Sequence, residues 1–139
     1  MLVFALGASV HTATITIIND DSAGEGFNDP TPVSPVGGNS ATTRGAQRLA
    51  AFQFAANLWG AQLASAVAIQ VGANMDPLDC DGSGAVLGQA GPNTVHADFG
   101  GVPVGNTWYP AALANKLAGA DLSSGQDDIS ATFNSANAS

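Results

Sequence analysis

Positive charge is the scarcest property of this sequence. Its 139 residues contain three basic side chains, Arg44, Arg48 and Lys116, against eleven acidic ones, for a formal net charge of −8. Binding to nucleic acid needs clustered Lys and Arg side chains that displace counterions from phosphates. An anionic membrane surface is disfavoured for the same electrostatic reason. We therefore predict neither a nucleic-acid nor a membrane partner.

Side chains that carry out hydrolysis are also few. The chain has two histidines, His11 and His96, and one cysteine, Cys80. A hydrolytic zinc site commonly needs two histidines at i and i+4 on a helix with a glutamate between them. No G-x-S-x-G turn presents a serine nucleophile, and no nucleophile follows His96 and Asp98 closely in sequence. We predict no catalytic residue and no metal ligand of a zinc site in this chain.

One acidic turn partly matches a calcium-binding loop. Oxygen-bearing side chains stand at its first, third and fifth positions (Asp79, Asp81 and Ser83), and Gly84 stands at the sixth. Position twelve is Ala90, where such a loop needs a bidentate glutamate. Calcium at Asp79, Asp81 and Ser83 is therefore a secondary hypothesis beside an ordinary solvated turn.

The first residues resemble the end of an export signal. Residues 1–8 are apolar, but this run is shorter than the roughly 20 residues that span a bilayer. It fits the hydrophobic region of a signal peptide with cleavage after Ala13. We predict that residues 1–13 are a signal peptide, that residues 14–139 form one domain, and that the product is secreted (extracellular or periplasmic). A buried first strand at 2–6 is the alternative.

Periodicity in the remaining chain predicts an α+β fold. Residues 43–64 form the best helix, and a stripe along it is expected to face the core: Leu49, Phe52, Ala56, Trp59 and Leu63. Strands are predicted at 14–18, 67–73, 85–90 and 128–133, and a second helix at 108–118 that ends at Gly119. Residues 22–42, rich in proline and glycine, form a long surface loop. The order favours a small mixed β-sheet backed by the long amphipathic helix.

Three pairs of segments carry a resemblance. They are GEGFNDPTPVSPVGGN at 24–39 with RLAAFQFAANLWG at 48–60, VGANMDPL at 71–78 with AVLGQAG at 85–91, and TWYPAALANKLAG at 107–119 with DDISATFNS at 127–135. Together they resemble the opening of secreted bacterial zincin-type zinc metallopeptidases, which often carry an inserted protease-associated domain. In that family the H-E-x-x-H helix follows the strand that the last segment resembles.

The resemblance implies the non-catalytic layer of a zinc endopeptidase. No residue here matches a zinc ligand or the glutamate base, so zinc and a polypeptide substrate belong to the full-length protein. A strand of such a sheet binds substrate by β-augmentation. Both strand 85–90, with Val86, Leu87 and Gly88, and strand 128–133, with Ile129 and Ala131, are candidates.

Two other functions remain open. The chain can be a secreted, non-enzymatic binding or adhesion module that uses the same layer. The third hypothesis is a glycan hydrolase, whose two carboxylates would come from Asp76, Asp79, Asp81, Asp127 and Asp128. If the chain is a segment of a zinc endopeptidase, its uncovered apolar side chains and strand edges predict that it self-associates.

Overall fold

A computed structural model of the chain describes residues 11–137, and it confirms the α+β fold class. The strands are β1 (Ile15–Asn19), β2 (Ile69–Asp76), β3 (Gly88–Pro92), β4 (Val95–His96), β5 (Tyr109–Pro110) and β6 (Ile129–Asn134). The helices are α1 (Arg44–Gln62) and α2 (Ala111–Ala118), with short 3-10 helices at Gly26–Asn28 and Ser135–Asn137. No helix within 11–137 is long and apolar enough to cross a membrane.

The main sheet has four strands in the order β1-β2-β6-β3. β1, β2 and β6 are parallel, whereas β3 runs antiparallel to β6 at one edge. Ile17, Val71 and Ile129 lie side by side across the three parallel strands. Because side chains alternate between the two faces of a strand, this register places the apolar residues of all three strands on one face.

The long helix α1 covers part of that apolar face. Its N-cap is Thr43, whose hydroxyl accepts a hydrogen bond from the Ala46 N–H at 3.3 Å. The Phe52 ring contacts Phe133 of β6 edge to face, with ring centroids 5.0 Å apart, and stacks on Phe27 at 6.0 Å. The predicted loop 22–42 is thus fixed to the helix through buried Phe27.

The predicted burial of the whole α1 stripe is wrong at its C-terminal end. Ala56 is buried, but Trp59 is 64% exposed and Leu63 is 42% exposed. Both side chains lie beside an open groove on the sheet face instead of under a second layer. The 3.6-residue period identifies the apolar side of a helix, but it does not show whether anything lies opposite that side.

The predicted signal peptide falls largely outside the described residues, as does the alternative strand at 2–6. Of its last three residues, Ala13 donates its N–H to the carbonyls of Gly60 at 3.1 Å and Leu63 at 2.9 Å. The His11 carbonyl accepts from the Ser65 N–H at 3.1 Å. Cleavage after Ala13, which stays a prediction, removes these hydrogen bonds to the end of α1.

A buried polar cluster fixes α2 to the sheet. The Asp128 carboxylate accepts from the Gln70 N–H at 2.9 Å and from the Asn115 side-chain amide at 2.7 Å. Asn115 in turn accepts from the Leu122 N–H at 2.9 Å. α2 begins at Ala111, three residues later than predicted, because Tyr109 and Pro110 pair with β4 as strand β5. It ends as predicted at Gly119, which has a left-handed φ of 69°.

Candidate functional site

The antiparallel edge strand β3 has one side paired and the other open. At its two ends, Asn134 N–H donates to the Leu87 carbonyl and Asn93 N–H donates to the Asp128 carbonyl, both at 3.0 Å. Residues opposite each other in an antiparallel pair alternate between hydrogen-bonded and non-hydrogen-bonded positions. The backbone groups of the two odd-numbered residues inside the strand, Gln89 and Gly91, therefore face β6.

The even-numbered residues of β3 consequently turn their backbone groups to the open edge. These are Gly88, Ala90 and Pro92, and all three are exposed. Since proline has no N–H, the edge offers two N–H donors and three carbonyl acceptors. Within residues 11–137, no backbone hydrogen bond outside the β3–β6 ladder uses any of these groups. The edge is a template for one more strand.

Shallow depressions flank this edge on both faces of the sheet. One, of about 340 Å³, is lined by Leu87, Gly88, Gln89, Ala90 and Phe133. The other, of about 250 Å³, is lined by Gln89, Ala90, Gly91, Ser130 and Thr132. The side chains of an added strand alternate between the two faces. Successive side chains of an extended peptide would therefore meet an apolar depression and a polar one in turn.

The two candidate substrate strands differ in their position in the sheet: β3 is at an edge, and β6 is interior. Gly88 belongs to the open edge, and Leu87 lies directly before it with its side chain 74% exposed. Val86 is engaged in the preceding loop, because its N–H donates to the Asp79 carbonyl at 2.9 Å. Its carbonyl accepts from the Asn134 side-chain amide at 2.6 Å.

Strand β6 has no open edge. Ile129 and Ala131 lie between β2 and β3, and Ala131 is only 6% exposed. A peptide cannot hydrogen-bond to a strand that already has two neighbours. The suggestion that Ile129 and Ala131 bind a substrate backbone is therefore corrected by the sheet order. A strand can be added to this side of the sheet only at β3.

The acidic turn uses its own oxygen atoms internally. One carboxylate oxygen of Asp81 accepts from the Ser83 N–H at 2.8 Å, the Ser83 hydroxyl at 2.6 Å and the Gly84 N–H at 2.9 Å. These bonds, the Ser83 hydroxyl first, lower the pKa of the Asp81 carboxyl. No three His, Cys, Asp or Glu side chains within 11–137 are grouped to hold a metal ion. Asp81, Ser83 and Gly84 thus form a hydrogen-bonded turn, and calcium at Asp79, Asp81 and Ser83 stays a prediction.

Asp127 was a candidate carboxylate in the sequence, but its pairing with Asp20 was not predicted. Asp20 follows β1 and Asp127 precedes β6, and both reach over Gly72 on the polar face of the sheet. A Cβ atom added to Gly72 would lie 2.6 Å from an Asp20 oxygen and 2.5 Å from an Asp127 oxygen. The parallel order of β1, β2 and β6 brings them together. Glycine at this position leaves the space that the two carboxylates occupy.

A histidine–serine contact was also missed, because 27 residues separate its members in the chain. The Ser123 hydroxyl lies 2.9 Å from His96 Nε2, and the Thr94 hydroxyl lies 3.4 Å from the same atom. The Ser123 N–H is donated to the Asp121 carboxylate at 2.9 Å. The contact joins β4 to the loop before β6.

An apolar groove of about 520 Å³ lies on the sheet face beside α1. Isoleucine and valine side chains of three strands form its floor, and α1 and α2 form its walls. Its apolar lining includes Ile15, Ile17, Ile69, Val71, Ile129, Phe52, Ala56, Trp59, Leu63 and Leu113. The polar contributions come from Ser65, whose hydroxyl is bonded to Val67, and from Lys116. This volume lies in the range of ligand-binding cavities, about 300–1,000 Å³.

No family model, curated protein or solved structure matches this sequence. The open edge of β3 and the groove beside α1 are therefore the two features on which a functional assignment depends.

Proposed function

We propose that this chain is the N-terminal, non-catalytic segment of a secreted zinc metalloendopeptidase, and that strand β3 binds an extended polypeptide substrate. The observation that carries the proposal is the open edge of β3. It is solvent-exposed, antiparallel to its one neighbour and free to hydrogen-bond at Gly88, Ala90 and Pro92. The resemblance to the opening of zincin-type peptidases, carried by segments 24–39, 48–60, 71–78, 85–91, 107–119 and 127–135, supports the same function.

The role of this edge is to position the backbone of a peptide through main-chain hydrogen bonds. The N–H groups of Gly88 and Ala90 donate to carbonyls of the peptide, while the carbonyls of Gly88, Ala90 and Pro92 accept from its N–H groups. Main-chain bonds of this kind provide affinity for any extended sequence, and side-chain depressions provide selectivity. The ladder ends at Pro92, which lacks a donor. A peptide held in this way has its backbone extended and fixed relative to the sheet.

The reaction itself belongs to the other half of the proposed peptidase. Zinc held there would supply Lewis-acid polarisation of the scissile carbonyl and an activated water molecule. The His, Cys, Asp and Glu side chains of residues 11–137 do not group into a site that fits this ion. In this proposal the chain alone is inactive, and its contribution is to present the peptide.

Peptide binding by β3 can be tested with one substitution. A blocked heptapeptide of alternating threonine and valine is titrated into the 139-residue chain by calorimetry. Ala90→Pro removes an outward N–H without touching the ladder to β6, so we expect binding to weaken about tenfold or more while the fold is kept. Ala90→Ser is the matched control and should bind as the parent chain does. Equal binding by Ala90→Pro and the parent contradicts the proposal.

The peptidase part of the proposal has its own test. The chain is produced alone and joined to a following segment that contains H-E-x-x-H. Alone, it should bind no stoichiometric zinc and cleave no casein; joined, it should do both. If the joined protein does neither while the chain still binds peptide at β3, a non-enzymatic binding or adhesion module is the better account.

A further inference from the structure

Three polar side chains converge between β4 and the loop before β6. The Ser123 hydroxyl lies 2.9 Å from His96 Nε2, and the Thr94 hydroxyl lies 3.2 Å from the Ser123 oxygen. All three residues are partly buried. A serine hydroxyl is a weak nucleophile by itself, and an imidazole nitrogen at this distance can accept its proton as a general base. The pair of Ser123 and His96 therefore has the geometry of an activated nucleophile.

The backbone holds both members of this pair in place. His96 is paired with Tyr109 of β5. The Ser123 N–H is donated to the Asp121 carboxylate at 2.9 Å, and the Ser123 carbonyl accepts from the Gln126 N–H at 3.0 Å. Because both backbone groups of Ser123 are bonded, the turn sets the position from which its side chain reaches the imidazole.

The same turn has two backbone donors that are not used. Gly125, its third residue, has a left-handed φ of 87°, which a type II turn requires at this position. Within residues 11–137, the N–H groups of Ser124 and Gly125 donate no hydrogen bond. Ser124 directly follows Ser123, and in α/β-hydrolases the N–H of the residue after the nucleophile stabilises the oxyanion. These two N–H groups are the nearest unused backbone donors in sequence for negative charge that develops beside Ser123.

We propose that His96 activates Ser123 as a nucleophile toward activated carboxylic esters. The Ser123 oxygen forms a bond to the acyl carbon while its proton passes to His96 Nε2, and the bond from the acyl carbon to the leaving oxygen breaks. The proton then passes from the imidazolium to the leaving oxygen, so the products are an acylated serine and a phenol or alcohol. This inference goes beyond the proposed function, because it needs neither zinc nor a peptide at β3. Peptide bonds stay outside it, because an amine leaves less readily than a phenolate.

A fluorophosphonate tests the nucleophile, because its phosphorus takes the place of the acyl carbon. The Ser123 oxygen bonds to phosphorus and displaces fluoride, and the proton passes through His96 to solvent. Mass spectrometry of digested samples of the 139-residue chain gives the labelling rate of each serine. We expect Ser123 to react about 100-fold faster than Ser124 or more, as general base catalysis allows. Ser124 is the exposed neighbour without a histidine contact, so this comparison needs no variant.

Variants test the part played by His96. His96→Gln keeps a polar side chain but accepts no proton, and it should lower the labelling of Ser123 to about the rate of Ser124. Ser124→Ala is the matched control and should leave the labelling of Ser123 unchanged; circular dichroism melting confirms that each variant is folded. Phosphonylation of Ser123 should also stop the release of 4-nitrophenolate from 4-nitrophenyl acetate. Equal labelling of Ser123 and Ser124, a folded His96→Gln variant that labels like the parent, or ester cleavage that continues at the parent's rate after phosphonylation would overturn the inference.

Discussion

The buried carboxylate of Asp128 provides the most quantitative test of the fold. It is 5% exposed, and its two oxygens accept from the Gln70 N–H at 2.9 Å and from the Asn115 amide at 2.7 Å. The Asn115 side chain, itself 2% exposed, accepts a hydrogen bond from the Leu122 N–H. One side chain thus ties β2, α2 and the loop before β6 together. Its removal should loosen all three.

The size of the stability loss follows from the buried donors that lose their acceptor. Asp128→Ala leaves the Gln70 N–H and the Asn115 amide buried without acceptors, and each such loss costs about 1–3 kcal/mol. We therefore expect about 2–6 kcal/mol of lost stability, a large share of a typical ~5–15 kcal/mol. Asp128→Asn keeps one acceptor oxygen but turns an amide donor toward another donor. It should lose about half as much.

Urea unfolding followed by circular dichroism measures this loss. At a slope of about 2 kcal/mol per molar urea, the Asp128→Ala midpoint should fall by about 1–3 M. The control is Asp127→Asn: the neighbouring carboxylate lies close to that of Asp20 near Gly72, so its neutralisation should cost little. If Asp128→Ala and Asp127→Asn shift the midpoint equally, the buried cluster does not hold these elements together.

Three further predictions follow from single residues. Because Trp59 is 64% exposed, Trp59→Ala should cost less than about 1 kcal/mol in urea unfolding, and iodide should quench its fluorescence in a Trp108→Phe background; a loss above about 3 kcal/mol would mean that it is buried. The hydrogen bonds from Thr31, and secondarily two arginines, lower the pKa of Asp29 below 3.8, so its stabilising effect is present above that pH and lost as the pH falls through the lowered value. The melting temperatures of the parent and Asp29→Asn should therefore differ at pH 7 and converge towards pH 2; a constant difference would contradict this. A Cβ on Gly45 would collide with backbone atoms of Phe27 and Asp29, so Gly45→Ala should destabilise by about 1–3 kcal/mol, whereas Gly82→Ala, with open space around it, should not.

Local pattern predicted most of the elements and the fold class. The predicted α1 helix and the predicted end of α2 at Gly119 agree with the structure, because helix periodicity and C-terminal capping are properties of adjacent residues. The third strand shifts from the predicted 85–90 to Gly88–Pro92. The strand continues through Gly91 and Pro92, because the N–H that Pro92 lacks would face the open edge and not β6.

Contacts between distant segments could not be predicted from one sequence. Asp128 bonds to Gln70 across 58 residues, and Ser123 contacts His96 across 27. Neither pair has a local signature, because the sheet order brings them together. The same reason explains the choice between the two candidate strands. Only the order β1-β2-β6-β3 shows that β6 is interior and β3 is the edge.

Amide protection along β3 is the most direct test of the peptide-binding edge. Hydrogen exchange is followed by NMR for the ¹⁵N-labelled chain, with and without the blocked threonine–valine heptapeptide. The N–H groups of Gln89 and Gly91 already face β6 and should be unchanged. The N–H groups of Gly88 and Ala90 should exchange freely without peptide and become protected when it binds. If Gly88 and Ala90 stay unprotected at saturating peptide, or if protection appears instead along β1, strand β3 is not the substrate-binding edge.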